Sequence, residues 1–124
     1  MGQRRCWRIL VVDDHADTRN VLARLLARLG HVVTTAADAN EARSACAADR
    51  PDLVISDLGL PDRAVGLALV RSLRADRIPC VVLSGHVQPS DGREIGDDGG
   101  CSTWMIAKPA SIDAVTAAID AVMA

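Results

Sequence analysis

The sequence lacks the segments that would place it in a membrane or export it. No apolar run in its 124 residues approaches the roughly 20 residues of a membrane-spanning helix. The start, Met1-Gly2-Gln3-Arg4-Arg5-Cys6, has no apolar core of a secretory signal, and Cys6 stands where a myristoylation motif has Ser or Thr. We therefore expect a cytoplasmic protein that does not bind membranes.

Cysteine and histidine are few and scattered. No two cysteines form a C-x-x-C pair, so neither a zinc site nor a disulfide framework is predicted. No two histidines show the H-E-x-x-H spacing or a comparable one, which argues against a histidine-bound metal. These residues are Cys6, Cys46, Cys80, Cys101, His15, His31 and His86.

Charge of one sign is not in excess either. The formal net charge is −2 at pH 7, whereas surfaces that bind nucleic acid are normally markedly basic, so direct nucleic-acid binding is not expected. With 49% hydrophobic residues, a chain of this length forms one ordinary domain with a buried core. We assign residues 1–7 to an N-terminal extension and residues 8–124 to that domain.

Lysine occurs once, at Lys108, directly after the apolar run Met105-Ile106-Ala107. Short β-branched runs separated by helical patterns predict strands of a parallel sheet, and such a sheet presents its chemistry outside the carboxyl ends of its strands. Polar residues follow the other apolar runs in the same way. Residues 8–12 are followed by Asp13 and Asp14, residues 52–56 by Asp57, and residues 80–83 by Ser84 and Gly85.

Helical patterns separate these strands. A leucine face followed by Gly30 predicts the first helix, and Asp38 with Glu41 resembles a capping box for a helix through Ala48. Ser111 is placed to cap a last helix. The apolar positions of the helices are Leu22, Leu25, Leu26 and Leu29 in the first, Leu67, Val70 and Leu73 in the third, and Val115, Ala118, Ile119 and Val122 in the last.

The alternation predicts an α/β fold, a doubly wound five-stranded parallel sheet in the order 2-1-3-4-5 of the flavodoxin-like type. A second short strand is expected at residues 32–35, and Pro79 opens the fourth. The interval 88–102 contains Pro89 and four glycines, which are poor residues for a helix interior. The helix between the fourth and fifth strands is therefore expected to be short or irregular.

Three carboxylates at one end of a sheet repel one another, and a hard divalent cation relieves that repulsion. Magnesium suits a few carboxylates with water and a phosphate oxygen. A lysine charge and a serine hydroxyl are what a transferring phosphoryl group needs, and an aspartate can be its nucleophile. Each residue alone could be a helix cap, a turn residue or a surface charge, but together they favour phosphoryl transfer.

As a set, these residues resemble the receiver domains of bacterial two-component response regulators, the CheY-like proteins. The resemblance covers the chain from Arg8 onward and depends on four motifs. They are Ile9-Leu10-Val11-Val12-Asp13-Asp14, Asp57-Leu58-Gly59-Leu60-Pro61-Asp62, Leu83-Ser84-Gly85 and Lys108-Pro109.

The resemblance implies a role for each matching residue. Asp57 would accept a phosphoryl group from a sensor histidine kinase or a histidine phosphotransfer protein. Magnesium would be held directly by Asp14 and Asp57, by Asp13 mainly through water, and by the backbone carbonyl of Gly59. Ser84 and Lys108 would bind the phosphoryl group, Gly85 would leave it room, and His86 together with Gly59 would influence its lifetime.

The sequence departs from the family at the switch position. Receivers usually carry Tyr or Phe three residues before the lysine, whereas this chain has Met105 there, next to Trp104. We therefore expect signalling through Ser84 and its loops, without rotation of a buried aromatic ring. Equally, Met105 could be core packing and Trp104 a partner-binding residue.

Two other functions remain open. One is a receiver-like interaction module that does not depend on phosphorylation. The other is a magnesium-dependent phosphatase, although Asp13-Asp14-His15 does not supply the second acid two residues on that such enzymes need. We expect a signalling domain rather than an enzyme, with self-catalysed phosphotransfer and autodephosphorylation only, as a monomer or weak homodimer.

Overall fold

The computed structural model describes residues 6–57, 63–84, 103–107 and 111–123, and in these ranges strands and helices alternate. The strands are β1 (Arg8–Val12), β2 (Val32–Ala36), β3 (Leu53–Asp57), β4 (Cys80–Ser84) and β5 (Thr103–Ala107). The helices are α1 (Ala16–Arg28), α2 (Ala39–Ala48), α3 (Arg63–Ala75) and α4 (Ile112–Met123).

The strands form one parallel sheet in the order β2-β1-β3-β4-β5. The predicted α/β fold with a parallel sheet is confirmed. Because β1 lies between β2 and β3, the chain reverses its direction of travel across the sheet after β2. Ligands of open α/β sheets bind at such a switch point, outside the carboxyl ends of the strands.

The central strands are buried on both faces, as a parallel sheet covered by helices requires. On one face, Leu10, Val12, Val54 and Val82 pack with apolar residues of α2 and α3. On the other, Ile9, Val11, Ile55 and Val81 pack with residues of α1 and α4, including the predicted stripe Val115, Ala118, Ile119 and Val122. The sheet is therefore the middle layer of the core, with helices packed on both of its faces.

The predicted helix ends are also present. Gly30 has a positive φ of 98° after α1, a conformation that favours glycine. Asp38 accepts a hydrogen bond from the Glu41 N–H at 2.8 Å, as in a capping box. The Ser111 hydroxyl accepts one from the Ala114 N–H at 3.1 Å. These contacts set the starting points of α2 and α4.

Several predictions lie outside the described residues. They include the irregular interval 88–102 and the positions of Gly59, Gly85, His86 and Lys108. Ser84, Trp104 and Met105 are described at the level of the backbone. In the described part of the chain, no helix has both the length and the apolar character needed to cross a bilayer.

Candidate functional site

The carboxyl ends of β1 and β3 bring two aspartates together. Val12 pairs with Ser56 in the sheet register, so Asp13 follows β1 beside Asp57, the last residue of β3. Both residues are largely withdrawn from solvent, with exposed fractions of 2% for Asp13 and 8% for Asp57. Buried carboxylates are costly without compensating partners, so both side chains require hydrogen-bond or ionic partners at this end of the sheet.

The turn from β1 into α1 holds Asp13 in place. Its Oδ1 accepts a hydrogen bond from the His15 N–H at 2.9 Å, and its backbone carbonyl accepts one from Arg19 Nη1 at 2.7 Å. The Asp13 N–H donates to the carbonyl of Ala36 at 3.2 Å. Asp14, the next residue, is more exposed, with 35% of its side chain accessible.

Four side chains converge at this point. Asp13, Asp14, His15 and Asp57 each offer one ligand atom, and these atoms all lie within 4.8 Å of one another. Three carboxylates this close repel one another when ionised. A small divalent cation suits such a donor set, because Mg²⁺ takes a few carboxylates and completes its shell with water and phosphate oxygens. The three aspartates therefore fit the predicted magnesium site.

His15 was not among the predicted site residues. Its Nδ1 lies 3.0 Å from Asp14 Oδ1 and 3.6 Å from Asp13 Oδ1. Sequence reasoning missed it because histidine ligand rules look for a second histidine at a fixed spacing. The available signal was its position directly after two acids at the end of a strand.

The register also brings two further strand ends to the same end of the sheet. Asp57 pairs with Leu83, so Ser84 lies one residue beyond the partner of Asp57. Ser84 in turn pairs with Ala107, the residue before Lys108. Backbone pairing is thus consistent with the predicted set, while the contacts of Ser84 and Lys108 with a phosphoryl group remain predictions.

The two residues at the predicted switch lie in β5. Trp104 pairs with Val81 of β4, and Met105 pairs with Val82. The strand assignment of this segment agrees with the sequence prediction. The role of either side chain in signalling stays a prediction.

No disulfide joins the three cysteines that the structure describes, Cys6, Cys46 and Cys80, and none of these three belongs to the acidic group. Burial raises the pKa of the Cys46 thiol, and the carboxylate of Asp76 acts in the same direction. A raised pKa disfavours the reactive thiolate. Cys46 therefore behaves as a packing residue.

Comparison with known proteins gives a family match over almost the whole chain. Residues 9–120 match the family model described as the response regulator receiver domain. Response regulator MprA of Mycolicibacterium vanbaalenii is 37% identical over 118 residues, which are 94% of this chain and 50% of that protein. The virulence transcriptional regulatory protein PhoP of Salmonella typhimurium is 37% identical over 118 residues, 94% of this chain and 51% of PhoP.

Solved structures of other proteins are similar to this chain in fold. Chemotaxis protein CheY4 of Vibrio cholerae has a TM-score of 0.83 and 25% identity, with 95% of this chain and 99% of CheY4 covered. NtrX of Brucella abortus has a TM-score of 0.82 and 30% identity, with 96% of this chain and 27% of NtrX covered. The chain spans about half the length of the curated relatives MprA and PhoP.

Proposed function

The chain belongs to the receiver-domain family of two-component response regulators, and on this premise we propose that it accepts a phosphoryl group on Asp57. The observation that supports the proposal most strongly is the convergence of Asp13, Asp14 and Asp57 at adjacent strand ends. A pair of acids beside a buried aspartate is the arrangement that metal-assisted phosphoryl transfer to a carboxylate needs.

Asp14 and Asp57 would hold Mg²⁺ directly, together with the carbonyl of Gly59, and Asp13 would hold it through water. When bound, the ion supplies positive charge that offsets the carboxylates and the phosphoryl oxygens. The three carboxylates lie close enough for this role, since their ligand atoms fall within 4.8 Å of one another.

The transfer itself uses the carboxylate of Asp57 as nucleophile. One of its oxygens attacks phosphorus, the bond from phosphorus to the phosphohistidine nitrogen breaks, and the electron pair of that bond stays on the donor imidazole. The hydroxyl of Ser84 and the ammonium group of Lys108 would bind the phosphoryl oxygens in this mechanism. Gly85 would leave space for the group, and His86 would influence how long it lasts.

The donor would be a sensor histidine kinase or a histidine phosphotransfer protein. The phosphorylated domain would then pass its signal by a conformational change or by onward phosphotransfer, in the cytoplasm and without direct contact with nucleic acid or membrane. Its chemistry would be limited to accepting and losing this phosphoryl group, as a monomer or weak homodimer. Met105 and Trp104 would replace the usual aromatic switch.

Phosphorylation can be tested directly with acetyl phosphate and Mg²⁺, followed by intact mass measurement. We expect wild-type protein to gain the mass of one phosphoryl group and Asp57→Asn to gain none, because the amide cannot attack phosphorus. Asp17→Asn, which removes an acid from the first turn of α1, is the matched control and should be phosphorylated normally.

Undiminished uptake by Asp57→Asn would contradict the assignment of Asp57. A wild-type protein that takes up no phosphoryl group from acetyl phosphate or from a histidine donor, yet binds its partner, would instead be a phosphorylation-independent interaction module.

A further inference from the structure

The imidazole of His15 faces the acidic site although the helix beside it does not need that side chain. His15 occupies the N-cap position of α1, where a side chain commonly accepts a hydrogen bond from the helix. Its side chain makes no such cap bond among the described residues. Instead its Nδ1 lies 3.0 Å from Asp14 Oδ1 and 3.6 Å from Asp13 Oδ1.

The backbone of His15, not its side chain, makes the hydrogen bonds that hold the start of α1. The His15 N–H donates to Asp13 Oδ1 at 2.9 Å, and the His15 carbonyl accepts from the Arg19 N–H at 3.0 Å. The imidazole is also well exposed, with 75% of the side chain accessible, so burial of the ring does not explain its position. What the imidazole adds is a nitrogen atom beside three carboxylates.

Nitrogen changes which ions such a site prefers. Carboxylate oxygens suit Mg²⁺, whereas imidazole suits borderline transition metals such as Ni²⁺. The nitrogen of His15 belongs to the group of ligand atoms that lie within 4.8 Å of one another. One ion could therefore reach the carboxylates and the imidazole together.

We infer that His15 is an additional metal ligand that lets the acidic site bind Ni²⁺-like ions as well as Mg²⁺, an inference that rests on the metal site of the proposed function. Mg²⁺ keeps its oxygen ligands and does not need the imidazole. A Ni²⁺ ion at the same place uses the imidazole as its strongest donor. His15 is thus a specificity-determining residue for the metal.

The test measures metal binding by titration calorimetry on the 124-residue chain without a histidine tag. NiCl₂ and MgCl₂ are titrated separately into wild type and into His15→Asn, in which asparagine is a favoured N-cap residue and should preserve the start of α1. We expect His15→Asn to lose at least about tenfold in Ni²⁺ affinity. Its Mg²⁺ affinity should stay within about twofold, because its oxygen ligands are unchanged.

Two matched variants locate the effect. His31→Gln removes a histidine at the other end of the sheet and should leave Ni²⁺ binding unchanged. Asp14→Asn should lower the affinity for both Ni²⁺ and Mg²⁺, because both ions use one site. For the same reason, Mg²⁺ should compete with Ni²⁺ for binding to wild type. His15→Gln provides a second removal of the imidazole if His15→Asn is poorly folded by circular dichroism.

Unchanged Ni²⁺ affinity in the His15 variants would overturn the inference. So would a large gain in Mg²⁺ affinity with no loss for Ni²⁺, since His15 would then be a counter-ion that opposes the metal. Failure of the proposed function is separate. If Ni²⁺ binding depends on His15 but acetyl phosphate labels nothing, only the phosphoryl assignment fails.

Discussion

The two ends of the sheet differ in how their charged side chains are arranged. At the carboxyl end, Asp13 and Asp57 are almost fully buried and lie with Asp14 in one cluster of carboxylates. At the amino end, Arg8 Nη1 lies 2.7 Å from Asp49 Oδ1, and both side chains are well exposed. Like charges are thus gathered at one end, where two of the three carboxylates are buried, while opposite charges are paired in solvent at the other.

The amino end looks like ordinary stabilisation. The Arg8 N–H donates to Asp52 Oδ2 at 2.8 Å, and Arg50 Nη2 donates to the carbonyl of Asp76 at 2.7 Å. These contacts join Arg8, the first residue of β1, to the segment that precedes β3, and that segment to the one that precedes β4. They need nothing from outside the chain. In the proposed function, by contrast, a cation from outside the chain offsets the repulsion among the carboxylates at the carboxyl end.

The largest effect should appear in metal affinity. Asp14→Ala should lower Mg²⁺ affinity by at least about tenfold, because a direct ligand is lost, and Asp13→Ala should lower it less, since that contact passes through water. Asp49→Ala at the amino end is the control and should change nothing. Calorimetric titration of each variant measures this ranking, and a reversed ranking of Asp13 and Asp14 would refute the ligand assignment.

Much of this site could be predicted before the structure, because strand ends are visible as apolar runs followed by polar residues. Asp13 and Asp57 could be placed together from that pattern alone, since adjacent parallel strands end at the same side. The position of His15 directly after two acids also places it near this end of the sheet, but whether its imidazole joins the cluster depends on how the ring turns at the start of α1. Spacing in the sequence does not report that rotation.

The fold, too, was predictable where it depends on local sequence signals, and not where it depends on contacts across the whole chain. The capping pair Asp38 and Glu41 and the cap at Ser111 are local signals, and both are confirmed by hydrogen bonds. Which helices cover which face is a property of the whole chain, so it emerged only from the structure. The short or irregular helix expected in the glycine-rich interval 88–102 stays a prediction.

Removing charge should change stability with opposite sign at the two ends. In metal-free buffer, Asp13→Asn should raise the free energy of unfolding by on the order of 1 kcal/mol, because repulsion with neighbouring carboxylates is relieved while the amide oxygen can still accept the His15 N–H. Arg8→Ala should lower it by no more than about 1 kcal/mol, as for exposed ion pairs. Urea unfolding with excess chelator measures both changes, and a destabilised Asp13→Asn would show that repulsion is not what dominates at the carboxyl end.

The smallest effect is expected from pH at the amino end. Nδ1 of His31 accepts a hydrogen bond from the backbone N–H of Trp7 at 3.1 Å. Only an unprotonated Nδ1 can accept such a bond. Burial lowers the pKa of His31, and the carboxylate of Asp120 opposes this shift. Because of the lowered pKa, there is a pH range in which His31 is protonated in the unfolded chain but neutral in the folded protein.

This contribution to stability should therefore be complete above the unfolded pKa, about 6.5, and should be lost as pH falls through the lower folded pKa. His31→Gln can keep an oxygen acceptor for Trp7 but does not titrate. The difference in unfolding free energy between wild type and His31→Gln should then favour wild type more at pH 7.5 than at pH 5, a comparison in which titration of the carboxylates cancels because both proteins share them. A difference that does not vary with pH would mean that His31 takes up its proton equally in the folded and unfolded states, and would contradict the lowered pKa of His31.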